Sequence, residues 1–204
     1  MGLLSSTVSI TRYKVEGDIE APVLETITNA LKSNIISDLD EDAYDKIVGW
    51  TSLENPFNPD FEGSSFVIGT YLVFSLRIDK KTIPQKIVKK HVNIQVAKKL
   101  SETGRDYLSK NEKQLIKESV IDKLSRQIPA TPNIYDIVWN QEESVLWFFS
   151  NQKAANEELE AMFSKSFKVS LIRLFPYTIA DLTAGLSEAD RDILSKLSPT
   201  KFTE

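Results

Sequence analysis

The chain has 204 residues, 41% of them apolar, and a net charge of −4, which indicates one globular domain or one domain with a protruding part. It contains no cysteine, so disulfides and thiolate metal sites are excluded. No basic segment precedes the apolar residues of the N-terminus, and no apolar run reaches the roughly 18 residues of a membrane-spanning helix. These features predict a soluble cytoplasmic protein.

The N-terminal part of the chain predicts a strand, a helix and further strands. Residues 8–15 are rich in β-branched side chains and predict a strand, whereas apolar residues at helical spacing over 21–33 predict an amphipathic helix. A short strand is predicted at 46–52, and the two prolines within 55–64 indicate a loop. Residues 65–78 form one long β run.

Two consecutive helices are predicted in the middle of the chain. Pro84 suits the first turn of a helix that ends before Gly104. Ser109 and Glu112 have the spacing of a capping box at the start of a second helix, which ends before Pro129. Because the two helices are long and polar on much of their surface, we expect them to project from the sheet as an arm.

Beyond the two helices the chain returns to β structure. Residues 134–139 and 144–150 predict a hairpin, 153–166 a helix, 168–175 a strand and 188–197 a weaker helix. This order predicts an α+β fold with a mainly antiparallel sheet, packed helices and a projecting two-helix arm. The predicted parts are 1–78 and 129–182 for the two halves of the α+β body, 79–128 for the basic helical arm and 183–204 for a helical tail.

The charge is distributed unevenly along the chain. Residues 77–126 contain 14 Lys or Arg and 6 Asp or Glu, a balance of +8, whereas the remainder contains 11 and 23, a balance of −12. One contiguous quarter of an acidic protein is therefore basic. Such an asymmetry favours an anionic partner for the basic part.

The lysines of the basic part form faces on the predicted helices. At 100° per residue, Lys86, Lys89 and Lys90 share one arc of the first helix, opposite an apolar side. In the second helix, a basic row at i, i+3 and i+7 continues into apolar positions nearer the helix end. These faces are typical of a surface that binds phosphates without reading sequence, and equally of a solvated helical surface. The row and its continuation are Lys110, Lys113, Lys117, Val120 and Leu124.

Other features of the sequence give no catalytic, metal or cofactor site. The acidic stretch 38–42 alternates like a calcium loop, but Ala43 and Gly49 stand where that loop needs Gly and Glu. The one histidine, His91, falls on the apolar side of the lysine-bearing helix and is predicted to pack. The apolar run 147–149 predicts core or subunit interface over the alternative of a base-stacking platform.

Four stretches of the chain resemble the bacterial recombination-associated protein family RdgC. "KKTIPQKIVKK" (80–90) is similar to the family's lysine–proline motif, and "GRDYLSKNEKQLIKESVIDKL" (104–124) to its second helix. "GW" (49–50) and "YDIVWNQEESVLWFFSNQKAANEELEAMF" (135–163) match its Gly-Trp and its strand, hairpin, strand and helix. Order and spacing agree over residues 1 to about 180.

The resemblance implies a homodimer that encircles double-stranded DNA without sequence preference. Such a protein modulates the recombinase RecA, associates with the nucleoid, and has no catalytic activity and no cofactor. Members are commonly longer, so the chain is expected to be a short relative lacking the C-terminal third, which forms a ring or an open clamp. The expected DNA-binding residues, from the resemblance and the lysine faces together, are Lys81, Lys86, Lys89, Lys90, Arg105, Lys110, Lys113 and Lys117.

Two other functions stay open from the sequence. In one, the same fold is a protein-interaction module that has lost DNA binding; in the other, which no motif supports, it is a metal-dependent nuclease. A homodimer is expected because two-fold dimers are the commonest assemblies and the second helix ends in an apolar stretch. The predicted dimer contacts are Val120, Ile121, Leu124 and Ile128.

Overall fold

The structure, a computed structural model, describes residues 2–37, 46–63 and 65–198. The acidic stretch compared above with a calcium loop lies outside the described residues, as does the end of the predicted tail. The elements in chain order are β1 (Thr11–Glu16), α1 (Val23–Ser33), β2 (Lys46–Thr51), β3 (Val67–Ile68), β4 (Tyr71–Lys80), α2 (Gln85–Thr103), α3 (Lys110–Gln127), β5 (Thr131–Asn140), β6 (Val145–Phe148), α4 (Lys153–Phe167), β7 (Ser170–Arg173), α5 (Pro176–Thr183) and α6 (Glu188–Lys196).

The strands of the described residues form one sheet in the order β2-β4-β5-β6-β1-β7, with β3 paired to β4. The pairs β5–β6, β6–β1, β1–β7 and β3–β4 are antiparallel. Strand β1 lies between β6 and β7, so the N-terminal strand is inserted between two strands of the C-terminal part of the chain. The predicted α+β fold is confirmed.

The chain divides into two compact units. Unit 1 comprises Met1–Ile35, Trp50–Leu76 and Tyr135–Glu204, and unit 2 comprises Ile36–Gly49 and Arg77–Ile134. Unit 2 thus contains both central helices together with residues 36–49. The predicted division of the chain assigns residues 36–49 to the α+β body.

The core of unit 1 is rich in aromatic side chains. Phe163 and Phe167 of α4 lie 4.6 Å apart between ring centroids, and Trp139 of β5 packs on both, at 5.0 and 5.3 Å. Trp50 meets Phe74 edge to face at 5.3 Å, and its indole nitrogen donates to the Ser166 hydroxyl at 2.8 Å. Burial of these large rings supplies the hydrophobic stabilisation that positions the sheet under α4.

Several element boundaries differ from the predictions; β1, for example, begins at Thr11 and not at residue 8. The β run predicted at 65–78 is a hairpin of β3 and β4, because Gly69 has φ +63° and reverses the chain. Strand β5 begins at Thr131, three residues before the predicted start. Helix α5 was not predicted, although Pro176 at its first position is a known start signal.

No helix in the described part of the chain combines the length and the apolar character needed to cross a lipid bilayer.

Candidate nucleic-acid interface on the helix pair

The first helix of unit 2 begins and ends at the predicted residues. Pro84 is the N-cap of α2, and its carbonyl oxygen accepts the Ile87 and Val88 N–H groups at 2.9 and 3.2 Å. Gly104 follows the helix with φ +64°, the left-handed conformation that glycine adopts without a steric penalty. The α2 helix that the sequence predicts is therefore confirmed.

The second helix has the predicted capping box. The Ser109 hydroxyl accepts the Glu112 N–H at 3.3 Å, and the Glu112 carboxylate accepts the Ser109 N–H at 2.9 Å. Two N–H groups that a helix start leaves without partners are thus satisfied. The arrangement defines the start of α3 and orients Glu112 towards the turn between the helices.

Helices α2 and α3 form an antiparallel pair, called here the helix pair. Val88, near the start of α2, packs on Val120 and Leu124, near the end of α3. At the other end of α2, the Lys99 ammonium lies 4.0 Å from the Glu112 carboxylate at the start of α3. These two contacts, a helix length apart, define the antiparallel arrangement. The projection of the helix pair from the sheet stays a prediction.

The residues predicted as dimer contacts lie in the interior of the helix pair. Val120 and Leu124 are 8% and 6% exposed and contact Val88 within one chain, and Ile121 and Ile128 are half-buried against the same cluster. Burial within one chain leaves little of Val120 and Leu124 for a second subunit. The apolar residues at the end of the lysine row on α3 are therefore explained by packing against α2 of the same chain. The dimer itself stays a prediction.

The lysines predicted on α2 are all exposed. Lys86, Lys89 and Lys90 lie on the part of the helix turned away from the cluster around Val88. On α3, Lys110, Lys113 and Lys117 are exposed as well, and the row enters the helix–helix contact at Val120. None of these six lysines forms an ion pair with any residue that the structure describes. They are called here the lysine face.

Arg105 and Lys81 differ from the lysine face. Arg105 donates to the Glu112 carboxylate at 2.6 Å, and its side chain is half exposed. The hydrogen bonds from Arg105 and from the N–H and hydroxyl of Ser109 lower the pKa of Glu112 to about 2. The Arg105 side chain is therefore held in the turn by its ion pair with Glu112. Lys81 is half-buried and interacts with other groups. Both were predicted to bind DNA, and neither presents a free charge.

Three lysines that the sequence patterns did not indicate line a groove between α2 and α3. The groove has a volume of about 600 Å³ and is lined by Lys98, Lys99 and Lys123 together with apolar side chains of α3. Lys98 lies 3.8 Å from Glu102, and Lys99 is the partner of Glu112. A helical plot of α2 alone does not join these lysines to Lys123, because the groove exists only when α3 is packed alongside.

Apolar side chains occupy two sides of α2, which corrects the prediction for His91. Val88 faces α3, but Ile87 and Ile94 are 39% and 52% exposed, and His91, between them in the helix, is exposed too. His91 therefore does not pack as predicted. The apolar residues of α2 outnumber the positions that a single neighbouring helix covers, so one stripe is left at the surface.

The aromatic run 147–149 is divided between core and surface. Phe148 and Phe149 are 0% and 6% exposed, as predicted for core residues, whereas Trp147 is 36% exposed. No cluster of three or more metal-ligating side chains occurs among the described residues.

The fold and this surface define an α+β protein with a lysine-rich antiparallel helix pair. A family model described as "Putative exonuclease, RdgC" matches residues 9–185. The match spans most of the chain, so the chain belongs to the RdgC family, and the resemblance seen in its sequence is confirmed. No curated protein matches the chain.

Proposed function

We propose that this protein binds double-stranded DNA without sequence preference through the lysine face of the helix pair. The observation that carries the proposal is the set of six exposed lysines, unpaired among the described residues, on two adjacent helices of an RdgC-family chain. Lysine is a compact charge on a flexible stem, which suits it to phosphates and gives no readout of base edges. The rest of the chain is acidic overall, so the electrostatic attraction of DNA phosphates is confined to this surface.

Salt dependence measures how many of these lysines bind phosphate. Each neutralised phosphate releases condensed counterions, so the affinity falls as salt rises. If about four to six phosphates are bound, log K falls against log salt with a slope of about −4 to −5. A weak, steeply salt-dependent complex with equal affinity for two unrelated duplexes is expected.

The test is fluorescence anisotropy on those two duplexes over a range of salt concentrations. Changing Lys86, Lys89 and Lys90 together to Glu reverses half of the lysine face and is expected to abolish binding at moderate salt. A matched control changes three exposed lysines of unit 1, Lys153, Lys165 and Lys196, to Glu and alters the net charge equally. Equal loss in both variants, a large difference between the duplexes, or no binding at low salt contradicts the proposal.

The further role that we propose is modulation of RecA-dependent recombination by a homodimer bound around or along duplex DNA, as a ring or an open clamp. A protein that occupies duplex DNA restrains RecA by competing for it. Addition of the protein to a RecA strand-exchange reaction is expected to slow product formation, and the variant with Lys86, Lys89 and Lys90 changed to Glu is expected not to. Equal inhibition by both proteins contradicts this role.

The family description names an exonuclease, whereas we propose a binding protein without catalytic activity. Incubation of end-labelled duplex with the protein and Mg²⁺ separates the two. Intact DNA over many hours, at protein concentrations that saturate binding, is expected. Shortening from the ends that requires Mg²⁺ and follows the protein through purification establishes the exonuclease.

A protein-interaction module is the alternative, and the surface of the helix pair gives it one supporting observation. Ile94 and Leu115 are 52% and 63% exposed, and Leu115 lines the groove between the helices. Apolar side chains beside lysines suit an acidic amphipathic partner. Absence of DNA binding at low salt, together with an intact fold, favours this alternative.

A further inference from the structure

The sheet of unit 1 has two faces, and the buried aromatic core lies on one of them. Leu146 and Phe148 of β6 are fully buried on the face that holds the aromatic core. On the opposite face, Val73, Val138 and Phe149 form a small cluster that Leu3 and Leu53 cover. The Leu3 N–H donates to the Asp136 carboxylate at 2.7 Å, which fixes the N-terminal segment there.

Two partly exposed aromatic side chains lie on this second face. Trp147 lies between the buried Leu146 and Phe148, so strand alternation turns its side chain to the second face. Its ring lies 6.0 Å from that of Tyr71, with the planes 30° apart, and each residue is 36% exposed. The two rings form a tilted pair of which part of each residue is accessible to solvent.

Two basic side chains flank the aromatic pair. Arg12 of β1 is the direct cross-strand partner of Trp147, and Lys14 is the partner of Val145 on the same face. Directly opposed residues of antiparallel strands have neighbouring side chains, so Arg12 adjoins the Trp147 ring. Neither Arg12 nor Lys14 forms an ion pair with another described residue.

We propose that this face binds single-stranded nucleic acid, with bases stacked on Tyr71 and Trp147 and phosphates bound by Arg12 and Lys14. Proteins that bind single strands combine basic groups along the backbone with aromatic side chains on which bases stack. The bases of a duplex are already stacked on one another and cannot stack on these rings, so the aromatic pair favours a single strand. The positive charge beside the rings selects a polyanion over a neutral apolar partner.

This site is independent of the lysine face. All four residues belong to unit 1, whereas the lysine face belongs to unit 2, so separate substitutions test the two sites. If the unsubstituted protein binds single strands but not duplex DNA, the proposed function is contradicted and this inference stands.

Tryptophan fluorescence reports directly on the site. Trp50 and Trp139 are 0% and 1% exposed, so Trp147 is the solvent-accessible one of the three tryptophans. Titration with an oligothymidine of about 16 nucleotides is expected to quench the exposed component of the emission, because a base stacks on the indole. Two bound phosphates give a slope of log K against log salt of about −1.4 for a single strand.

Substitutions test the stacking and the charges separately, with affinity measured by anisotropy of a labelled oligothymidine. Trp147→Ala is expected to weaken binding at least about fivefold, since loss of stacking on one base has that effect. Trp147→Phe keeps an aromatic face and is expected to retain most of the affinity while losing the quenching. Arg12→Glu with Lys14→Glu is expected to abolish binding. The matched controls, Phe175→Ala on another exposed aromatic and Lys153→Glu on another exposed lysine, are expected to bind normally.

Three results overturn the inference. The first is that oligothymidine does not quench the Trp147 fluorescence and binds the Trp147→Ala variant as tightly as the unsubstituted protein. The second is loss of single-strand binding when Lys86, Lys89 and Lys90 are changed to Glu, which would place the strand on the helix pair. The third is concentration-dependent self-association that Trp147→Ala abolishes in a protein without single-strand affinity, which would make the face a contact between copies of this chain.

Discussion

Glu112 joins the turn, the start of α3 and the end of α2. Its carboxylate accepts hydrogen bonds from Arg105 at 2.6 Å and from the Ser109 N–H at 2.9 Å, and Lys99 lies 4.0 Å away. These partners favour the ionised carboxylate, so the pKa falls from an ordinary 4.5 to about 2. One acidic residue therefore forms ion pairs with two basic residues at this end of the helix pair.

Carbon-detected NMR titration of the Glu112 side chain is expected to show a pKa near 2. Because this pKa lies below the ordinary 4.5, the stability contributed by the ionised carboxylate is complete above pH 4.5 and is lost as the pH falls towards 2. Arg105→Gln removes the largest cause and is expected to raise the Glu112 pKa towards its ordinary value. An unchanged pKa in that variant would show that the Arg105 contact is absent in solution.

Phe163 lies inside the aromatic core of unit 1. It is fully buried and meets Trp50, Trp139 and Phe167 with ring centroids 6.4, 5.0 and 4.6 Å away. Phe163→Ala is expected to reduce the free energy of unfolding by about 3–5 kcal/mol through lost burial and the cavity left behind. Urea denaturation measures the change, with Phe175→Ala, on a half-exposed ring, as the control expected to change little.

At the scale of elements, the start of α3 depends on one hydroxyl group. Ser109→Ala removes the acceptor for the Glu112 N–H and is expected to reduce the free energy of unfolding by about 1 kcal/mol. Ser119→Ala, at an exposed position inside the same helix, tests whether any loss of serine has this effect. Its expected result is no loss, since alanine is the best helix former. Equal losses in urea denaturation would show that the cap contributes nothing.

At the scale of the whole molecule, assembly decides how many lysines face one DNA. The lysine face of one helix pair has six exposed lysines, and two faces related by a two-fold axis offer twice as many to one duplex. We therefore expect a dimer with the lysine faces turned towards a shared cleft. Because Val120 and Leu124 are buried within one chain, its contacts must use other apolar surface.

Sedimentation equilibrium at micromolar concentration tests the dimer. The expected result is a species of twice the 23.1 kDa chain mass, present alone or on addition of duplex DNA. The variant with Lys86, Lys89 and Lys90 changed to Glu serves as the control, since it is expected to lose DNA without losing self-association. A single species of 23.1 kDa that DNA does not change contradicts the clamp.

The sequence by itself determined the elements that local chemistry specifies. Pro84, Gly104 and the pair Ser109–Glu112 act within one turn of the chain, so both helices of the pair were predicted to within a residue. Charge is also a property of each residue, so the basic segment and the lysine faces could be predicted from residue types and helical spacing alone. The motifs that carry the RdgC resemblance are likewise contiguous in the chain.

Only the tertiary structure decided which side chains share a surface. Arg105 was predicted to bind DNA, but its contact with Glu112 requires the chain to turn between two helices. Lys99 and Lys123 line the same groove because α3 packs on α2. Likewise, Arg12 and Trp147 are 135 positions apart and become neighbours through the pairing of β1 with β6. Such contacts depend on packing between distant segments, which residue patterns along the chain do not specify.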